Sequence, residues 1–360
     1  MEQWIMSIKQ EVFGKTAAGL PVSLFTLANA AGMTVKITNY GGTIVQLHVP
    51  DRTGRTADIV LGYDTLAEYE AGNNYFGALI GRCGNRINAG KFALNGKIYQ
   101  LAVNEMPQRN THLHGGVTGF NRMVWDAATS EADGNSVLKL SRLSSDGEEG
   151  YPGNLNVTAT YTLTADNRLM LEFDAVTDAP TIVNLTAHSY FNLGGHDSGP
   201  VTGHELRINA SRFTPINSEY IPSGELRSVR NTPFDFLQAK PVGRDVGASG
   251  EQLANGGGYD HNFIIDRKSV DALEAAAEVY DPASGRVMTV LTTQPGVQFY
   301  SGNFLNDNPG KQGARYPRRG ALCLEPQHYP DAPNHAHFPS IELLPGQDYH
   351  QAIVYQFTTR

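Results

Sequence analysis

Leu155-Asn-Val-Thr-Ala-Thr-Tyr-Thr-Leu163 alternates without a break: Leu155, Val157, Ala159, Tyr161 and Leu163 fall on one side, Asn156 and three threonines on the other. A period of two is that of an extended strand with one buried face. On either side, Val137-Leu-Lys-Leu-Ser-Arg-Leu143 and Arg168-Leu-Met-Leu-Glu-Phe-Asp-Ala-Val176 read the same way. Asn95-Gly96, set between Lys91-Phe-Ala-Leu94 and Lys97-Ile-Tyr-Gln-Leu101, is a two-residue hairpin signal. The 38 glycines and 19 prolines break the rest of the chain at short intervals, as many short antiparallel strands require. The expected fold is all-β, a large antiparallel β-sandwich with few short helices. One helix is predicted after Thr65, where Thr65-Leu-Ala-Glu68 matches a capping box and Gly72 supplies a stop. Residues 269–280 are ambiguous, because Ala272-Leu-Glu-Ala-Ala-Ala277 favours a helix while residues 278–291 look like a hairpin. The glycine-rich stretches 194–203 and 247–258 are the most linker-like, yet too short to divide the chain into domains.

With 360 residues, 40% of them hydrophobic, the chain can bury one large core. The formal net charge is −8, and Lys and Arg form no cluster beyond the isolated pair Arg318-Arg319. Nucleic acid and anionic membrane are therefore poor partners, and a small or neutral ligand suits the chain better. Cys83 and Cys323 sit in apolar segments, as buried reduced thiols do. The first ten residues lack the basic stretch and apolar core of a secretory signal, and no apolar run is long enough to span a bilayer. A cytoplasmic protein is expected.

Two stretches set an ionisable group inside an apolar run: Thr186-Ala-His-Ser-Tyr-Phe-Asn192 and Leu324-Glu-Pro-Gln-His-Tyr-Pro-Asp331. Such a group is costly unless it is paired or used, and a histidine with a carboxylate can serve as acid and base on one substrate. Read as one strand, residues 181–190 put Asn184, Thr186, His188 and Tyr190 on a single polar face. A lone histidine is more often structural; a file of four polar side chains points to a pocket. Pro326 removes a backbone donor and is expected to end the strand, leaving Glu325 at a rim; a salt-bridged structural glutamate is the plainer alternative. His112 and His114 would share one side of a strand, and His335-Ala-His337 repeats their spacing. Neither pair has the neighbouring Cys, Asp or Glu that completes a metal set, so no metal is expected. Gly81-Arg-Cys-Gly-Asn-Arg-Ile87 lacks the Lys-Ser/Thr ending of a phosphate loop, and its arginines and asparagine suit sugar hydroxyls. Asp260, following Gly256-Gly-Gly258, adds a second carboxylate. No G-x-S-x-G occurs, and Ser189 would face away from His188, which leaves no serine nucleophile.

Taken together these motifs resemble the aldose 1-epimerase, or galactose mutarotase, family. The resemblance runs in order through Asn39-Tyr-Gly-Gly42, Gly81 to Ile87, Leu113-His-Gly-Gly116, Ser144-Ser-Asp-Gly-Glu-Glu-Gly-Tyr-Pro-Gly153 and residues 184–193. It continues through Thr232-Pro-Phe-Asp-Phe236, Tyr259-Asp-His-Asn-Phe263, Gln294-Pro-Gly-Val-Gln-Phe-Tyr300 and Leu324 to Asp331. It implies a galactose mutarotase-like supersandwich over residues 11–360, behind an N-terminal extension of residues 1–10. It also implies interconversion of the α and β anomers of a free hexose without a cofactor, by a monomer or homodimer. By this resemblance Glu325 is the general base, His188 the general acid and His114 a support for the ring oxygen, the Leu-His-Gly-Gly match selecting His114 over His112. Asn85, Arg86, Asp260 and Gln294 would hold the sugar's hydroxyls, and residues 276–290 would be strands. The chemistry asks for an ionised Glu325 and a protonated His188, so a neighbour that keeps His188 charged and donors that hold Glu325 low are expected. Three rivals stand beside this reading: a glycoside hydrolase using Asp260 and Glu325, a non-catalytic sugar-binding module on the same fold, and an epimerase of phosphorylated hexoses.

Overall fold

The alternating segment forms the strand Leu155–Leu163, with its five odd-numbered apolar residues buried. It is flanked in antiparallel register by Asn135–Ser144 and Arg168–Thr177, so that Ala159 pairs with Leu140 on one side and Phe173 on the other. These strands belong to a nine-stranded sheet that continues through Tyr349–Thr359, Arg286–Thr292, Glu274–Tyr280 and Glu205–Ile208. The computed structural model describes residues 7–72 and 74–360.

A five-stranded sheet is built from Ser7–Lys15, Pro21–Ala28, Thr34–Thr38, Ile44–Pro50 and Thr56–Asp58 in sequence order. A second five-stranded sheet runs Arg227–Ser228, Arg212–Phe213, Asp260–Ile264, Gly296–Tyr300, Cys323–Gln327. Buried apolar side chains of all three sheets, from Phe25 to Phe357, join in one core. Asn95 and Gly96 form the expected hairpin turn, both with positive φ (49° and 77°), as a type I′ turn demands. Thr65 caps the helix Leu66–Ala71 with the expected reciprocal Glu68 contacts, and Gly72 closes it.

Other expectations are corrected. Residues 1–6 of the expected N-terminal extension lie outside the described residues, and residues 7–10 are not an extension: they pair with Phe25 to Ala28 as part of the first strand. The linker-like stretch 247–258 contains the helix Glu251–Gly256, which has no side-chain cap. Tertiary bonds hold it instead, Gln252 gripping both the N–H and the C=O of Ile216. Residues 274–280, ambiguous by propensity, are strand as the resemblance implies, because pairing on both edges outweighs the helix preference of their alanines. Residues 181–190 do not form one two-faced strand: Thr181–Ile182 and Thr186–Ala187 are separate two-residue strands with an isolated bridge from Asn184 to Cys83 between them, and the whole run is buried. The strand Cys323–Gln327 passes through Pro326 without ending, and it does so at the edge of its sheet, where a missing donor is tolerated. Its register sets Glu325 opposite Gln298, itself opposite Asn262, and sets Cys323 opposite Tyr300, itself opposite Asp260.

Candidate active site

Side chains directly opposite one another in a sheet lie about 5 Å apart, so this register gathers Asp260, Gln298 and Glu325 on one patch. Asp260 Oδ1 accepts a hydrogen bond from Gln298 Nε2 at 2.7 Å. His188, just after Thr186–Ala187, brings its Nε2 to 3.7 Å from Glu325 Oε1. Both side chains are buried at the floor of a cleft of about 210 Å³, with Asp260, Asn85, Arg86 and His114 in its walls. Glu325 is thus at the bottom of the cleft and not at a rim.

Asn85 and His114 arrive on two short paired strands, Arg86–Asn88 and Thr111–Leu113, each residue sitting just outside the ladder with positive φ (57° and 50°). Their backbones are bonded to each other, His114 N donating to Asn85 O at 2.9 Å. The N–H of Asn85 in turn donates to His114 Nδ1 at 3.1 Å. That bond fixes the tautomer: Nδ1 accepts, so the neutral ring carries its proton on Nε2. The left-handed turn at His114 also separates it from His112, which is not on the same side. His112 is fully buried between Ala102 O and the Tyr151 hydroxyl, at 2.6 Å from each. The glycines that follow His114 serve packing, since a Cβ on Gly115 would sit 1.7 Å from Gly81 O.

Arg86 is held by Glu105, with Nε to Oε2 at 2.6 Å and Nη2 to Oε1 at 3.0 Å. The same carboxylate takes Arg109 Nη1 at 2.7 Å and the Thr111 hydroxyl at 2.5 Å. Arg82, by contrast, is buried away from the cleft, binding Ser144, Ser145 and Pro152. Gln294 is likewise outside it: Nε2 donates to Leu185 O and Oε1 meets His328 Nδ1. Gln298, four residues on, is the glutamine that bonds Asp260. Of the polar file at 184–190, His188 and Tyr190 line the cleft, while Asn184 binds the backbone of His328. Glu105, Arg109, Tyr75, Tyr300 and Phe304 complete the lining and were not singled out from the sequence. Tyr300 shares the period-two face of Gln298, a signal that was there to be read.

Burial sets the electrostatics. It pushes His188 down to about 4 and lowers His114 well below the ordinary histidine value, the latter helped by His188 and Arg86. Burial, reinforced by the charge of Asp260, raises Glu325 well above the carboxylate range, and Asp260 is raised too. The expected tuning is therefore reversed: burial disfavours the charged form of both groups, favouring a neutral His188 and a protonated Glu325. The number of protons is the same as in a Glu325 carboxylate facing a His188 imidazolium; only their placement differs. Among the described residues, His188 Nδ1 and Glu325 Oε2 are buried without a hydrogen-bond partner, the condition of groups kept for a ligand.

Ligand atoms of His114, His188 and Glu325 lie within 4.8 Å of one another, close enough to ask whether they hold a metal ion. The donors do not fit one. A metal-bound histidine directs its other N–H at an acceptor, and the other nitrogen of His114 faces the Asn85 N–H. Among the described residues no helix is long and apolar enough to cross a membrane.

The model of the family described as aldose 1-epimerase matches residues 23–356. A galactose mutarotase of Bos taurus is 43% identical over 98% of this chain and 99% of its own length. An aldose 1-epimerase of Escherichia coli (strain K12) is 37% identical over 94% of this chain and 96% of its own. Among solved structures, a GalM/aldose epimerase homologue from C. elegans superposes with a TM-score of 0.85 at 32% identity, covering 94% of this chain and 99% of that one.

Proposed function

The chain belongs to the aldose 1-epimerase family, and from that premise we propose that it interconverts the α and β anomers of a free hexose such as galactose or glucose. Glu325 takes the proton of the C1 hydroxyl as the C1–O bond to the ring oxygen breaks. The electron pair passes to the ring oxygen, which receives a proton from His188. The open aldehyde turns about C1–C2, and the two protons return by the reverse route to close the ring on the other face. Each proton transfer is worth about 10²–10⁴ in rate. His114, with its proton on Nε2, donates to the ring oxygen, while Asn85, Arg86, Asp260 and Gln298 hold hydroxyls.

The sugar is what moves the resting proton. Its hydroxyls donate to Glu325 and favour the carboxylate, and the proton passes to His188. After ring opening both groups are neutral again, the state that burial prefers. A phosphorylated sugar is a poor fit, because the one Glu105 carboxylate already engages both Arg86 and Arg109 and leaves them a single net positive charge. The hydrolase and binding-module readings gain nothing from the cleft. The enzyme acts as one domain that includes the first strand from Ser7 onward, in the cytoplasm, with its cysteines reduced and buried.

The approach of His188 Nε2 to Glu325 Oε1, 3.7 Å at the cleft floor, carries this reading. Exchange between the anomeric proton resonances of galactose at equilibrium tests it. Wild-type protein should speed the exchange, and Glu325→Gln should bind galactose without speeding it. Equal exchange with wild type and with buffer rejects the proposal.

A further inference from the structure

His188 is flanked by two nearly parallel rings. Tyr190 lies 5.0 Å away between centroids with 19° between planes, and Tyr75 lies 5.9 Å away with 21°. Tyr75 also meets His114 edge-on, at 4.8 Å and 63°. It reaches this position from a backbone with φ of 57°, a region that bulky side chains rarely adopt and that is found where surrounding structure enforces it. The enforcing bonds run to His188 itself: Gly77 N donates to His188 O at 3.1 Å, and His188 N donates to Ala78 O at 2.9 Å. The segment that presents Tyr75 is thus docked on the backbone of the residue its ring covers.

We propose that Tyr75 is a positioning residue that fixes the planes of His188 and His114 and keeps water off His188 during ring opening. The role rests on the reading of His188 as the acid. Stacking holds the imidazole so that Nε2 faces Glu325, the ring face lies against the imidazolium as it forms, and the ring fills space that water would otherwise occupy. The other groups facing His188 are Glu325 at 3.7 Å, His114 with ring centroids 5.1 Å apart, Tyr190, and Arg86 and Asp260 across the same cleft.

Two variants separate the ring from the fold. Tyr75→Gly suits the positive φ, so folding is preserved while the ring is lost; Tyr75→Phe keeps the ring. In Tyr75→Gly, kcat for galactose should fall roughly tenfold to a hundredfold, with little change in KM. The NMR titration of the His188 ring should move up from about 4 toward the ordinary histidine value as water reaches it. Tyr75→Phe should match wild type in both. An unchanged kcat or an unmoved titration in Tyr75→Gly overturns the assignment, as does a Tyr75→Phe variant that behaves like Tyr75→Gly. Wild type that fails to interconvert anomers sinks the epimerase reading instead, and the titration, which needs no turnover, still decides the role of Tyr75.

Discussion

Glu325 and His188 share one proton in a place that penalises charge on either. The pair works only while it holds that single proton, which sets the pH profile. Below about pH 4, His188 gains a second proton while Glu325 keeps its own, and no base is left. At high pH Glu325, raised by burial, loses its proton with His188 already neutral, and no acid is left. kcat/KM should therefore fall on both sides, with the acid limb near 4 and the alkaline limb set by the raised Glu325. An acid limb near the ordinary histidine value would contradict the burial argument. Glu105 acts one step further out by fixing Arg86, so Glu105→Gln should raise KM for galactose about tenfold with a smaller change in kcat. Steady-state kinetics with both parameters resolved checks it. At this scale the sequence shows the residue types but not always the right copy. Gln294 and Gln298 are both glutamines of one motif, and only the strand register distinguishes the one beside Asp260. His112 and His114 look alike until the left-handed turn at 114 sends them apart.

Strands were the most legible elements where a long one alternates over a single buried face. Leu155–Leu163 and Arg168–Thr177 match the alternation residue by residue. Phe173, buried opposite Ala159, should cost about 3–5 kcal/mol when changed to alanine, read from the denaturant midpoint. The hairpin and the capped helix were legible for a similar reason, since their signals are local. Residues 181–190 misled because burial on all sides gives an alternating pattern no ladder to belong to, and the helix at 251–256 was hidden because its support is tertiary. The turn at Gly115 is tighter than its glycine alone announces. Gly115→Ala would drive a Cβ to within 1.7 Å of a backbone carbonyl, and a loss of at least about 3 kcal/mol is expected, seen as a lowered melting temperature. A variant as stable as wild type would mean that the loop can yield.

On the scale of the whole molecule, the cleft is assembled from chain segments near residues 85, 114, 188, 260 and 325, so no local pattern could have placed them together. What the sequence did carry was their order and identity, through the family's motifs. The halves of the chain are also joined away from the cleft. Lys311, fully buried, donates to Asp58 Oδ2 at 2.5 Å, Val45 O at 2.9 Å and Val60 O at 2.6 Å. Lys311→Met should cost about 3–5 kcal/mol, since it leaves the Asp58 carboxylate buried and unpaired, with equilibrium unfolding as the check. The account as a whole stands on the acid–base pair acting on a hemiacetal. Polarimetry of freshly dissolved α-D-galactose measures that directly: rotation should relax to equilibrium far faster with wild type than with buffer, and at the buffer rate with Glu325→Gln. Relaxation at the buffer rate with wild type, or undiminished acceleration by Glu325→Gln, would contradict it.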